Sequence, residues 1–292
     1  TFQYNCSKKS GGAFHWNAGR VAPLKLTRCS LTNNWTGDGG GAILSLSRLD
    51  LHSCTIKNNT AVSTGGGIHY GTYSSETWIQ NFHPMDGTLT LDANTVIENN
   101  TAQNGGGVNV EIKPITIKDH DGTHGGTYTV YTNDQGTTYC VNLNVNGATI
   151  RNNTASIDGG GVRMTRNTTI YGTDLNLNYG TITNNIATRN GGGLHVSSGI
   201  SVNVGTTSGS SLMNINNNTA VNGGGIYLSN GNIIINRGNV GAQNVANISH
   251  GGNGGGIYVT NGNLTMSGGS IAYNTAQLNG GSGGNGGALF VN

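Results

Sequence analysis

Short apolar runs and glycine-rich turns alternate along the whole chain. Nine times a Gly-Gly pair is followed closely by an aliphatic or aromatic residue: Phe14, Ile43, Ile68, Val108, Val162, Leu194, Ile226, Ile257 and Leu289. Before seven of these anchors, an Asn stands eight or nine positions upstream: Asn5, Asn34, Asn59, Asn100, Asn153, Asn185 and Asn218. Repetition at such a period indicates a stack of similar coils rather than one globular core. The clearest coil opens with the strand Ile226-Tyr227-Leu228, turns through Ser229-Asn230-Gly231-Asn232, and continues with Ile233-Ile234-Ile235. The next coil repeats it as Ile257-Tyr258-Val259, Thr260-Asn261-Gly262-Asn263 and Leu264-Thr265-Met266. Period-two alternation, β-branched residues and Gly/Asn turns predict three strands of three to five residues per coil. No stretch carries a helical period.

A lone coil buries nothing, so the strands must stack in parallel around a narrow interior. Like side chains then form columns. Ile56, Ile97, Ile150, Ile182, Ile215 and Ile271 predict one, and Ala61, Ala102, Ala155, Ala187, Ala220 and Ala276 a narrower one. An Asn column lies between them, with Asn274 as its member in the last coil. Asn accepts the left-handed backbone of a sharp corner, and its amide can bond the Asn above and below. The expected fold is therefore all-β: a right-handed parallel β-helix, or β-solenoid, of about nine coils with three short sheets. The hand follows from the crossover rule. At the strand spacing, nine coils make a rod roughly 40 Å long.

The anchors are separated by 29, 25, 40, 54, 32, 32, 31 and 32 residues. The two long intervals predict insertions looping out of the stack, at about 69–90 and 111–140. Otherwise residues 1–292 read as a single domain.

Composition narrows the function. The chain has 51 Gly, 9% charged residues and a net charge of +2. It lacks the dense Lys/Arg face that nucleic-acid binding needs. No run is long enough to span a bilayer. No carboxylate follows Asp174. Cys29 and Cys54 both stand two residues before the strand that leads to the ladder, at Leu31 and Ile56. Stacking puts them about one strand spacing apart, within reach of a disulfide. The alternative is two buried free thiols packing as small hydrophobes.

The pairs Phe2-Gln3-Tyr4-Asn5 with Gly11-Gly12-Ala13-Phe14, and Leu31-Thr32-Asn33-Asn34 with Gly40-Gly41-Ala42-Ile43, share a pattern with the closing Gly286-Gly287-Ala288-Leu289. This resembles the repeats of chlamydial polymorphic outer membrane proteins. More broadly it is similar to right-handed parallel β-helix surface proteins of the pectin-lyase-like type. The resemblance covers nearly the whole chain and implies a secreted or surface-displayed adhesin or repetitive extracellular protein.

Candidate chemistry is sparse. Enzymatic β-helices that cleave polysaccharides need clustered carboxylates. The best local grouping here is Asp158 with Arg151 and Arg163. Asp119, His120, Asp121 and His124 have metal-ligand chemistry, but the reading preferred for them is a polar loop tip. Tyr70, Tyr73 and Trp78 of the first insertion are candidate glycan contacts, or packing residues. Asn-x-Ser/Thr sequons give candidate glycosylation sites at Asn58, Asn99, Asn152, Asn167, Asn217, Asn247 and Asn263, with others at Asn5 and Asn34. No cofactor is expected. The chain starts within a motif and stops part-way through a coil. Either it is cut from a longer rod or copies of it stack head to tail into a filament.

The sequence thus points to a non-catalytic extracellular structural or adhesive protein whose main partner is itself. A polysaccharide lyase or hydrolase is the alternative, and a carbohydrate- or host-binding adhesin working through its insertions is a third reading.

Overall fold

The nine Gly-Gly anchors lie directly on one another. Phe14 pairs with Ile43, Ile43 with Ile68, and the series continues in register through Val108, Val162, Leu194, Ile226 and Ile257 to Leu289. The computed structural model describes residues 1–17, 23–71, 77–78, 87–112, 117–118, 141–166, 174–241, 248–250, 252–277 and 284–292. Among these, every strand pairing is parallel and no helix occurs, so the fold is a parallel β-helix. One coil runs through Val141–Arg151, Thr154–Asp158 and Val162–Arg166, one strand in each of three sheets.

The first sheet is richer than the three-strand coil predicts. It holds two ribbons side by side. One follows Phe2–Gln3, Ser30–Thr32, Thr55–Lys57 and Val96–Glu98; the other follows Leu24–Thr27, Leu49–His52 and Gly87–Asp92. Val141–Arg151 and Asp174–Thr183 are long enough to cross both ribbons and fuse them. Register shifts beside Gly147 mark the join. The expected insertions are correspondingly narrower. His69, Tyr70 and Gly71 lie in the strand Ile68–Gly71; residues 87–90 lie in Gly87–Asp92; Glu111 and Ile112 lie in Val108–Ile112. Each continues the L-x-L or anchor pattern of its neighbours, which overrides the aberrant spacing. Within the insertions, Thr77–Trp78 and Ile117–Lys118 form a parallel pair.

Inward residues form one continuous apolar core from Leu26 to Val259. Its isoleucine column is Ile56, Ile97, Ile150, Ile182 and Ile215, then Val240, then Ile271. The alanine column has Ser249 between Ala220 and Ala276. The Gly runs are explained by the same stacking. In each run a pair of Gly stands three and two positions before the anchor, and the first of the pair is left-handed, as at Gly159 with φ 68. The second has no room for a side chain: a Cβ at Gly160 would meet the carbonyls of Gly192 and Ile186, each at 2.5 Å.

The Asn column is the most fully bonded feature of the interior. Asn59, Asn100, Asn153, Asn185 and Asn218 are all 0% exposed. The Asn153 Oδ1 accepts from both the backbone N–H and the Nδ2 of Asn100, each at 3.0 Å. Its Nδ2 donates to Ile97 O at 2.9 Å and to Asn185 Oδ1 at 3.0 Å. Both donors and both lone pairs are used, which removes the desolvation penalty of a buried amide. The same links join Asn5, Asn34, Asn59, Asn100, Asn153, Asn185 and Asn218 in order. Asn274 donates to Val240 O in the corresponding manner. Between Asn218 and Asn274 the ladder position falls at Asn247, outside the described residues.

Asn153→Ala strands several buried donors and an acceptor at once and should destabilise by about 3 kcal/mol. Its neighbour Asn152 is exposed and left-handed (φ 55), so Asn152→Gly should change stability by less than about 0.5 kcal/mol. Urea denaturation followed by circular dichroism compares the two.

Candidate functional site

The outward face of the second ribbon reads as a repeated L-x-L-x motif: Leu24-Lys25-Leu26-Thr27, Leu49-Asp50-Leu51-His52 and Leu89-Thr90-Leu91-Asp92. Strand alternation buries Leu26, Leu49, Leu51, Leu89 and Leu91 and turns the intervening residues out. Register then sets Lys25 against Asp50, and Asp50 against Thr90. Lys25, Thr27, Arg48, Asp50, His52, Thr90 and Asp92 line an open groove of about 300 Å³ floored by Leu26 and Leu51. Arg48 Nε lies 3.2 Å from Asp50, and His52 Nδ1 lies 3.3 Å from Asp92. The two carboxylates sit on adjacent strands, two residues out of register, which separates their backbones by about 8 Å. This mixed-sign groove was not anticipated; the L-x-L-x repeat was the signal that could have found it. Further along the rod the same outward positions carry Asn144, Asn176 and Asn203, linked amide to amide.

A second polar cluster lies at the turn between the second and third sheets. Asp158, 2% exposed, accepts from Arg189 Nε at 3.0 Å and faces His195 Nδ1 at 3.4 Å. At that distance the His195 contact is electrostatic rather than a formed hydrogen bond, and its Nδ1 has no bonding partner among the described residues. Burial pushes the Asp158 carboxyl up, but the close approach of His195 and the hydrogen bonds and charge of Arg189 outweigh it and hold the group well below the ordinary carboxylate range. The expected grouping of Asp158 with Arg151 is corrected. Arg151 bonds Glu98 at 2.7 Å, and Lys57 bonds the same carboxylate at 2.9 Å. Strand register, invisible to sequence proximity, decides this: Lys57, Glu98 and Arg151 stand in one outward column. Arg163 belongs near Asp158, but its guanidinium bonds Asn109 at 3.1 Å. Below the cluster His195, Tyr227, Tyr258 and Phe290 form an aromatic column with ring spacings of 5.0–5.1 Å.

The other candidates divide plainly. Tyr70 is an inward core residue at 2% exposure and cannot meet a glycan; it stands one register step from Val110. Tyr73 lies outside the described residues, and Trp78 is in the strand pair of the insertions. Asp119, His120, Asp121 and His124 lie outside the described residues. Among the described ones, no group of three or more His, Cys, Asp or Glu is placed to hold a metal ion. Asn58, Asn99 and Asn152 are exposed, left-handed corner residues, accessible for modification; Asn217 is exposed and left-handed too, but its Nδ2 donates to Asn184. Asn34 is buried in the ladder, the Nδ2 groups of Asn5 and Asn263 are engaged by Asn34 and Asn232, and Asn167 and Asn247 lie outside the described residues. Cys6, Cys29 and Cys54 are free thiols in this structure, Cys54 buried and Cys29 half-buried. The described residues contain no helix long and apolar enough to cross a membrane.

No protein-family model, no curated protein and no solved structure matches the chain.

The lowered Asp158 carboxyl gives the sign of an acid effect. Its contribution is complete above the ordinary carboxyl value of about 3.8 and is lost as pH falls below it. The native protein should lose urea resistance as pH falls from about 4 to about 2, and Asp158→Asn should flatten that slope. Urea midpoints for the two proteins at each pH measure it.

Proposed function

We propose that this protein is a non-catalytic structural and adhesive rod of the cell exterior, whose copies stack end to end in a filament, fibre or sheath. Lengthwise cohesion supports the reading best. Three parallel sheets and an unbroken series of amide links from Asn5 to Asn218, buried from Asn34 onward, join coil to coil along one axis. Such a contact is made of in-register strands and like-on-like columns. It has the same chemistry whether the two coils belong to one chain or to two, and a heterologous contact of that kind propagates. The similarity of the repeats to β-helical surface proteins agrees with an exterior location. The adhesive element falls to the insertions around Tyr73 and Trp78.

The groove at Asp50 and Asp92 favours a second reading, action on a polysaccharide. Two carboxylates with Lys25, Arg48 and His52 beside them are the minimum equipment for acid–base work on a sugar chain. Each carboxylate, however, is already engaged, Asp50 by Arg48 at 3.2 Å and Asp92 by His52 at 3.3 Å.

Electron microscopy and sedimentation of the purified protein at rising concentration test the first reading. Filaments of constant width and growing length are expected; dispersed single rods at every concentration overturn end-to-end stacking. Incubation with neutral and uronate polysaccharides should release no new chain ends. Product formation abolished by Asp50→Asn or Asp92→Asn would put the second reading in its place.

A further inference from the structure

The corner that opens the first ribbon carries a column of small residues. Strand register sets Thr27 on His52 and Ser30 on Thr55, which leaves Cys29 directly opposite Cys54. The Thr55 N–H donates to Cys29 O at 2.8 Å, so the two coils are bonded at this point. Thr95 and Ala148 continue the column in the next two coils. Those two show that the corner asks only for a small side chain, not for sulfur. The Cys54 thiol is buried and donates to Leu26 O at 3.2 Å, a carbonyl of the coil that holds Cys29. It therefore reaches across the gap between coils toward its counterpart. Cys29 is half-buried, with one side open to solvent. Adjacent parallel strands hold opposed Cα atoms about 4.8 Å apart, inside the range that a disulfide bridges.

We propose that Cys29 and Cys54 form a redox-controlled covalent staple between the two coils, made by thiol–disulfide exchange with a small-molecule disulfide. The accessible Cys29 thiolate attacks one sulfur of the disulfide. One thiol of the reagent leaves, and a mixed disulfide remains on Cys29. The Cys54 thiol then gives up its proton and attacks Cys29 Sγ, expelling the second reagent thiol. Two electrons pass from the protein thiols to the reagent, and a Cys29–Cys54 bond replaces the reagent's own. Cys29 takes the first step because burial raises the Cys54 thiol and keeps it protonated. The coils are already in contact, so the closing step needs no rearrangement of the stack. The bond closes the chain between the two positions and stabilises by restricting the unfolded state.

The folded protein is equilibrated with oxidised or reduced glutathione, alkylated and digested without reduction. The expected product is one peptide pair joining Cys29 to Cys54, lighter by two hydrogens and absent after reduction. The oxidised form should melt roughly 5–10 °C higher than the reduced one. Cys29→Ser and Cys54→Ala should each remove both the linked peptide and the rise in melting temperature. Either variant retains a small residue, as at Thr95 and Ala148, so the fold should survive. Linkage of Cys29 to Cys6 or Cys140, a glutathione adduct on Cys29 with Cys54 still alkylatable, or two free thiols after equilibration would each overturn the proposal.

Discussion

A buried side-chain amide is tolerable only when all four of its bonding sites are used, and stacking is what uses them. An isolated coil would leave each ladder Asn with an unmet carbonyl oxygen and an unmet N–H in an apolar interior. Placed between two others, it bonds up, down and sideways. The coil length is bound by this condition. A residue gained or lost between two ladder positions can be absorbed in an outward loop, but not in the segment that carries the Asn from the isoleucine column to the alanine column. That explains why the intervals between anchors vary widely while the isoleucine, Asn and alanine keep one spacing from Ile56-Asn59-Ala61 through Ile215-Asn218-Ala220.

The same constraint sorts the surface from the core. Positions facing in are held to a few residue types, since each must pack on its counterpart one coil away. Positions facing out are freer, and here they diverge along the rod. The coils near Lys25, Asp50 and Asp92 present opposite charges, while those from Asn144 onward present amides. One scaffold thus displays different chemistry at different heights without any change in its interior. The Lys57–Glu98–Arg151 column belongs to this pattern, as a carboxylate flanked by two cations on successive strands. Glu98 is nearly covered, and burial by itself would raise its carboxyl; the two cations reverse the sign.

How much was legible in the sequence follows from what repeats. The nine anchors, the Asn ladder and the isoleucine column recur at fixed positions within the coil, and their stacking follows directly. The second ribbon recurs as well, through its L-x-L-x motif. Its hydrophobic residues at Leu24, Leu49 and Leu89 lie close to irregular spacings, so from sequence the third of these reads as part of an insertion. Tyr70 was misplaced for a similar reason: an aromatic beside an insertion suggests a loop, but it stands two positions after the Ile68 anchor, and period two turns it inward. Pairings such as Arg151 with Glu98 depend on which coil stands over which, across 53 residues of sequence. Only the assembled register reveals those.

The direction of the amide links has a further effect. In the interior ladder each Nδ2 donates to the following coil, as from Asn153 to Asn185. On the surface the sense is reversed: Asn176 donates back to Asn144, and Asn285 back to Asn253. A file of like-oriented amides sums its dipoles as a helix does, and leaves partial charge at either extremity. Two files of opposite sense cancel. The surface files therefore oppose the polarisation that the interior ladder sets up along the axis.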